Sequence, residues 1–208
     1  MFALATAPLV RAWGSEWLAS GGLSLRFRKQ VYDGERVTVS VDDQQSVSVV
    51  GPDGVVRASG TATRPGLARQ PSSYDDAPLP ASLLAAPALG AFGTVRMPAD
   101  PVACSDYVRA IGDPLPVYDR WVHPGLLLRL VNLALMSNVE LGPWIHTASD
   151  ARFLSVARVD EAVEVRSRVT ELFSRKVNDY LRYDALVLAG GRPVLEVEHE
   201  AIWRLGSG

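Results

Sequence analysis

The stretch Pro124 to Asn138, PGLLLRLVNLALMSN, decides how the chain must fold. A proline at the first helical position loses an N–H that would have no partner there, so it marks a helix start. Leu126, Leu127, Leu128, Leu130, Val131, Leu133, Leu135 and Met136 then wrap nearly all faces of the predicted helix. A helix apolar on most sides has to be covered on most sides.

The segments that follow alternate in the way of half-buried strands, and they supply the cover. Strands are expected over 153–159, 162–169 and 186–189, and over 194–203, with a Gly190-Gly191 hairpin turn between the last two. In the last run Glu196, Glu198 and Glu200 share a parity and are expected to form a solvated face.

The same order of elements occurs earlier. Trp17 opens WLASGGLSLRFRKQVYDGERVTVS and Trp144 opens WIHTASDARFLSVARVDEAVEVRS, and Phe27, Glu35, Val37 and Val39 match Phe153, Glu161, Val163 and Val165. An apolar helix candidate precedes each tryptophan, and strands over 23–30, 36–41, 46–50 and 55–62 carry a turn at Asp53-Gly54. The chain therefore divides into an N-terminal half, 1–64, a Pro/Ala-rich linker, 65–93, and a C-terminal half, 94–208. The fold class is α+β: two antiparallel sheets, each wrapped around a long apolar helix.

Composition narrows the function. Apolar residues at 48% and charged residues at 21% describe a globular chain, and a net charge of -2 gives no basic field for nucleic acid. The single Cys104 rules out an intrachain disulfide and a thiolate zinc cage. The apolar start at 1–13 lacks the positive region of a secretion signal, and no run reaches the roughly 18 to 20 apolar residues of a membrane span. These readings favour a soluble cytoplasmic protein without membrane or nucleic-acid partners.

Asp106 to Gly125, DYVRAIGDPLPVYDRWVHPG, carries the chemistry. It resembles the motif of the MaoC-like (R)-specific enoyl-CoA hydratases: Tyr, a short spacer, Gly-Asp-x-Asn-Pro-x-His-x-Asp, then His-Gly opening a central helix. Tyr107, Gly112, Asp113, Pro116 and His123 match, and Asp119 places an acid one residue early. The family's catalytic histidine falls at Tyr118 and its asparagine at Leu115, and the first half lacks a counterpart of Tyr107 to Gly125.

The resemblance implies a double hotdog fold and a hydratase or dehydratase acting on 2-enoyl or 3-hydroxyacyl thioesters of coenzyme A or acyl carrier protein. It needs no cofactor and no metal. Water addition to an enoyl thioester requires an acid–base group and donors for the enolate oxygen. Asp113 takes the first role with Tyr118 or His123 as partner, and the Gly125 amide at the positive end of the helix takes the second. Asp119 and Asn132 are the remaining candidates for substrate contact.

The His-to-Tyr replacement motivates an alternative, a non-catalytic acyl-binding hotdog or supporting subunit of a catalytic homologue. A thioesterase shares the fold without separate support in the residues. The expected assembly is a dimer or higher homo-oligomer, with a hotdog partner subunit as the other option. His146 and His199, in strand-like stretches, read as structural histidines.

Overall fold

The computed structural model describes residues 1–67 and 70–206. In chain order, α1 (Phe2–Trp13) and α2 (Glu16–Ser20) lead into β1 (Gly22–Phe27), β2 (Thr38–Val41), β3 (Ser46–Val50) and β4 (Val56–Thr63). β5 (Gly90–Ala91) and β6 (Val95–Pro98) precede α3 (Pro101–Ile111), a 3-10 turn (Pro116–Asp119) and α4 (Pro124–Met136). β7 (Ile145–Phe153), β8 (Ala162–Arg175), β9 (Asn178–Ala189) and β10 (Arg192–Arg204) follow.

The strands form one sheet, not the two expected. Its order is β2-β3-β4-β1-β7-β10-β9-β8-β5, with β6 also on β8, and the pairings are antiparallel. The join is β1 against β7, from Gly22↔Arg152 to Arg26↔Ala148. Each of those strands would otherwise end its own sheet with an open row of N–H and C=O groups, and their union satisfies both rows.

The helices α1 and α4 touch each other and share that sheet, α1 over β2 and α4 over β6, β8 and β9. Ala5 and Leu9 of α1 enter the same core as Val131, Ala134 and Leu135 of α4, beneath Leu25, Val47, Val165 and Tyr183. The cover of α4 is incomplete: Arg129 and Met136 are exposed, with Asn132 and Leu133 half-buried between them. Spacings of three, four and seven put these on one stripe of the helix.

The residues of the internal match perform matched tasks. Glu35 accepts from the Tyr32 N–H at 2.9 Å and from Arg57 Nε at 3.1 Å, and Arg57 enters β4 after the Asp53-Gly54 turn. Glu161 accepts from the Arg158 N–H at 2.9 Å and from Arg192 at 2.7 Å, and Arg192 enters β10 after Gly190-Gly191. Both glycines of that turn have positive φ, 55° and 79°, as a two-residue hairpin of this hand requires.

Two strand assignments need correction. Segment 154–159 is no strand, because its bonds go to the approach to α4: Val122 N–H to Ala157 O at 2.8 Å and Val159 N–H to Arg120 O at 3.2 Å. β9 begins at Asn178 and not at Leu186, after a turn in which Lys176 adopts a φ of 56°. The linker is also bound down along its length. Ser72 N–H and Tyr74 OH donate to Glu196, Leu84 bridges Val139, and the Asn138 side chain clasps both N–H and C=O of Gly93.

The linker covers the sheet face opposite the helices, packing Tyr74 on Leu186 and Leu188. The expected solvated glutamate face is accordingly wrong for two of its three residues. Glu196 is 5% exposed under the linker, and Glu200 is 8% exposed beside Arg182 and Thr147. Among the described residues no helix is long and apolar enough to cross a membrane.

Candidate active site

Four local devices deliver the candidate residues to the amino end of α4. Asp100 caps α3 by accepting from the Val102 N–H at 2.7 Å, with Pro101 at the first helical position. Gly112 then ends α3 in the left-handed region at φ 68°, which turns the chain back. Asp113 holds the following loop by accepting from the Leu115 N–H at 3.1 Å, and the 3-10 turn carries Tyr118 inward. His123 caps α4, its Nδ1 accepting from the Gly125 N–H at 2.9 Å.

Asp113, Tyr118 and His123 converge there. His123 Nε2 lies 3.4 Å from Asp113 Oδ2 and 3.1 Å from Thr6 Oγ1 of α1. The Thr6 hydroxyl gives its proton to Ala3 O at 2.7 Å, and His123 Nδ1 is an acceptor, so Nε2 carries the ring proton and points it at Asp113 and Thr6. The imidazole sits between two tyrosine rings, 4.4 Å from Tyr118 and 5.6 Å from Tyr107 by centroids. His123 is 1%, Tyr118 3% and Asp113 8% exposed.

Burial sets the protonation states. Desolvation draws the His123 pKa below its ordinary value against the opposing pull of Asp113, so the ring is neutral near pH 7. Desolvation pushes the Tyr118 hydroxyl well above its ordinary value and the Tyr107 hydroxyl up to about 12. Both phenols therefore stay protonated, as donors rather than bases. Among the described residues the buried Tyr118 hydroxyl has no partner in good hydrogen-bond geometry, with Thr6 its nearest polar influence.

The oxyanion role expected of Gly125 meets an obstacle. Its N–H is engaged by His123 Nδ1, and the next two amides, Leu126 and Leu127, both donate to His123 O at 2.9 and 3.2 Å. Position 125 must still be glycine, because a Cβ there would lie 2.4 Å from the Tyr107 hydroxyl and 2.5 Å from Ala3 Cβ. Asp119 is not brought to the cluster: it is exposed at the end of the 3-10 turn.

A cavity of about 270 Å³ opens on the other side of Gly125 and Tyr107, between the start of α1 and the face of α4 that carries Leu128, Arg129 and Asn132, with His146 of β7 in its wall. A larger cavity, about 650 Å³, lies on the opposite sheet face by Tyr74, Arg152, Asp184 and Glu196, and touches none of the clustered residues. No set of His, Cys, Asp and Glu among the described residues is grouped to hold a metal ion.

Sequence reasoning missed Thr6, which comes from the other half of the chain with no motif around it, and the wall position of His146. The Asp100-Pro101 start and Gly112 stop of α3 were readable as helix signals.

No protein-family model matches the chain, and no curated protein matches it. Among solved structures it is similar to a MaoC domain protein dehydratase from Chloroflexus aurantiacus, with TM-score 0.59 and 12% identity over 99% of this chain and 81% of that one. The chain has a hotdog fold like that of this MaoC domain protein. Weaker likenesses are the R-hydratase PhaJ1 from Pseudomonas aeruginosa (TM-score 0.49, 17% identity, 57% of this chain and 83% of that one) and the acyl-CoA thioesterase II TesB2 from Mycobacterium marinum (0.48, 15%, 98% and 91%).

Within this hotdog fold the central helix is α4, and its amino end is where Asp113 and His123 meet. Tyr118, standing where the resembled motif has its histidine, packs against His123.

Proposed function

We propose that the chain is a hydratase or dehydratase of acyl thioesters, carried by coenzyme A or acyl carrier protein, built as a double hotdog of halves 1–64 and 94–208 joined by the linker 65–93. The observation that supports it is the meeting of Asp113, Tyr118 and His123 at the start of α4, beside a cavity that reaches Gly125 and Tyr107. The shared Glu35–Arg57 and Glu161–Arg192 pairings support the two halves.

In the hydration direction Asp113 takes a proton from water as the water oxygen bonds to C3, and the C2=C3 electrons move toward the thioester oxygen. The proton is then returned to C2, so the net change is addition of one water. His123, neutral, holds Asp113 through its Nε2–H. The Tyr107 hydroxyl, protonated up to about pH 12 and lining the cavity, is the donor for the thioester oxygen in place of the engaged Gly125 amide.

The test is hydration of crotonyl-CoA by the full chain and by Asp113→Asn. The variant is expected to keep its circular dichroism and to lose turnover by about 100-fold or more. Unchanged turnover removes this mechanism.

The enclosure of His123 and the engagement of the Gly125 amide favour a second reading, an acyl-binding subunit without its own chemistry. In that case the chain binds butyryl-CoA, turns over no enoyl-CoA alone, and gains activity only in a complex with a catalytic hotdog subunit.

A further inference from the structure

The internal match sets Val37 and Val39 on Val163 and Val165. In the second half those two valines pair with Met97 and Val95 of β6, which closes that side of the sheet. Among the described residues no strand does the same for β2. It ends the sheet, and apart from its ladder with β3 the backbone of 37–41 is bonded to no described residue. An open strand edge is normally blunted by lysine, proline or an inward-pointing charge. Thr38–Val41, TVSV, carries none of these.

The side chains around this edge alternate as a further strand requires. Val39 and Val41 stand opposite Val49 and Val47 on the inner face, while Thr38 and Ser40 are exposed on the other. Val37, Val39 and Val41 pack at the margin of the core and remain only half-buried. An exposed charge lies beyond each end. Arg36 has no acidic partner among the described residues, and Asp42 is held in place by accepting from the Ser46 N–H at 2.8 Å. The charge of Glu35 is already met by Arg57 of its own half.

We propose that two copies of this chain join through β2, antiparallel, about a two-fold axis at Val39, so that one sheet runs through both. An antiparallel pair sets inner residues against inner residues, and a slip of one position would turn every side chain to the wrong face. Centring on Val39 sets Val37 against Val41 and Thr38 against Ser40 of the other copy. It also sets Arg36 against Asp42, twice by symmetry. Moving the axis to Thr38 sets Arg36 against Ser40, moving it to Ser40 sets Asp42 against Thr38, and either move loses both ion pairs. The strand is thus complementary to itself in charge and in face, which favours a second copy over an unrelated strand. So short a ladder gives a weak dimer, with a dissociation constant of about 10–100 µM. The inference stands apart from the thioester reading.

Sedimentation velocity of the full chain from about 5 to 500 µM should show monomer giving way to dimer. Arg36→Asp and Asp42→Arg, each alone, put only like charges at the joint and should weaken association by at least about tenfold. Mixed in equal amounts, the two variants oppose unlike charges at both ends and should recover the wild-type dimer, a rescue that no folding defect in either can imitate. In the wild type, amide hydrogen exchange of 37–41 should slow as the concentration rises through that range. A chain still monomeric at about 500 µM overturns self-pairing and leaves the edge to a strand of another protein. A dimer indifferent to both variants, a mixture that stays dissociated, or unchanged exchange of 37–41 overturns it as well.

Discussion

His123 serves two masters through one ring: Nδ1 closes the first turn of α4, and Nε2–H addresses Asp113 and Thr6. The two duties separate by mutation. Asparagine can cap a helix through its side-chain oxygen but cannot reach Asp113 with an imidazole proton. His123→Asn is therefore expected to remain folded, losing about 1–3 kcal/mol in urea unfolding for the space and the contacts it gives up, while crotonyl-CoA turnover falls at least about tenfold. Retained turnover would show that the imidazole has no part in the chemistry. At this scale Asp113, Tyr118 and His123 were legible because they share one short motif. Thr6 was not, since a threonine inside an apolar helix carries no mark of the residue it will meet 117 positions away.

Helix α4 was readable almost to its last residue, from Pro124 to Met136, because a proline start and dense apolar residues are local signals. Its exposed stripe of Arg129 and Met136 follows from where the sheet ends, which is not local. Beyond the helix, Asn138 is bonded to Gly93 N–H at 2.6 Å, Gly93 O at 3.0 Å and Ala134 O at 2.8 Å, and so ties the linker to the end of α4. Asn138→Leu strands the Gly93 groups and should cost about 1–3 kcal/mol in urea unfolding, with faster proteolysis within 70–93. Unaltered proteolysis would mean that Leu84 and Phe92 hold the linker without it.

The whole molecule buries His123 and His199 and half-buries His146 in a cavity wall, with consequences in acid. Burial lowers the pKa of His123, draws that of His146 down to about 3 with the amino terminus adding to the effect, and places that of His199 well below its ordinary value. Between those folded values and an unfolded pKa near 6.5, the unfolded chain binds more protons than the folded one. The stability these rings contribute is therefore fully present above about pH 6.5 and falls as pH drops, by about 1.4 kcal/mol per pH unit for each histidine kept neutral. The melting temperature should decline steadily from pH 6.5 to 4.5. A melting temperature unchanged down to pH 5 would show that these rings take up protons in the folded state.

Local physics was enough for the sequence to mark α4 and several of the strands, to establish that the interior is antiparallel sheet over apolar helix, and to single out which carboxylate and imidazole stand near the start of α4. Helix caps, turn glycines and alternation act over a few residues, so they can be read in a few residues. Only the tertiary structure decided that β1 and β7 merge the halves into one sheet, that the linker buries Glu196, and that Thr6 and His146 face the candidate site and its cavity. Those outcomes depend on edges and surfaces that exist only once the elements are formed, and complementary edges meet because water cannot satisfy them as well as each other does once both are enclosed.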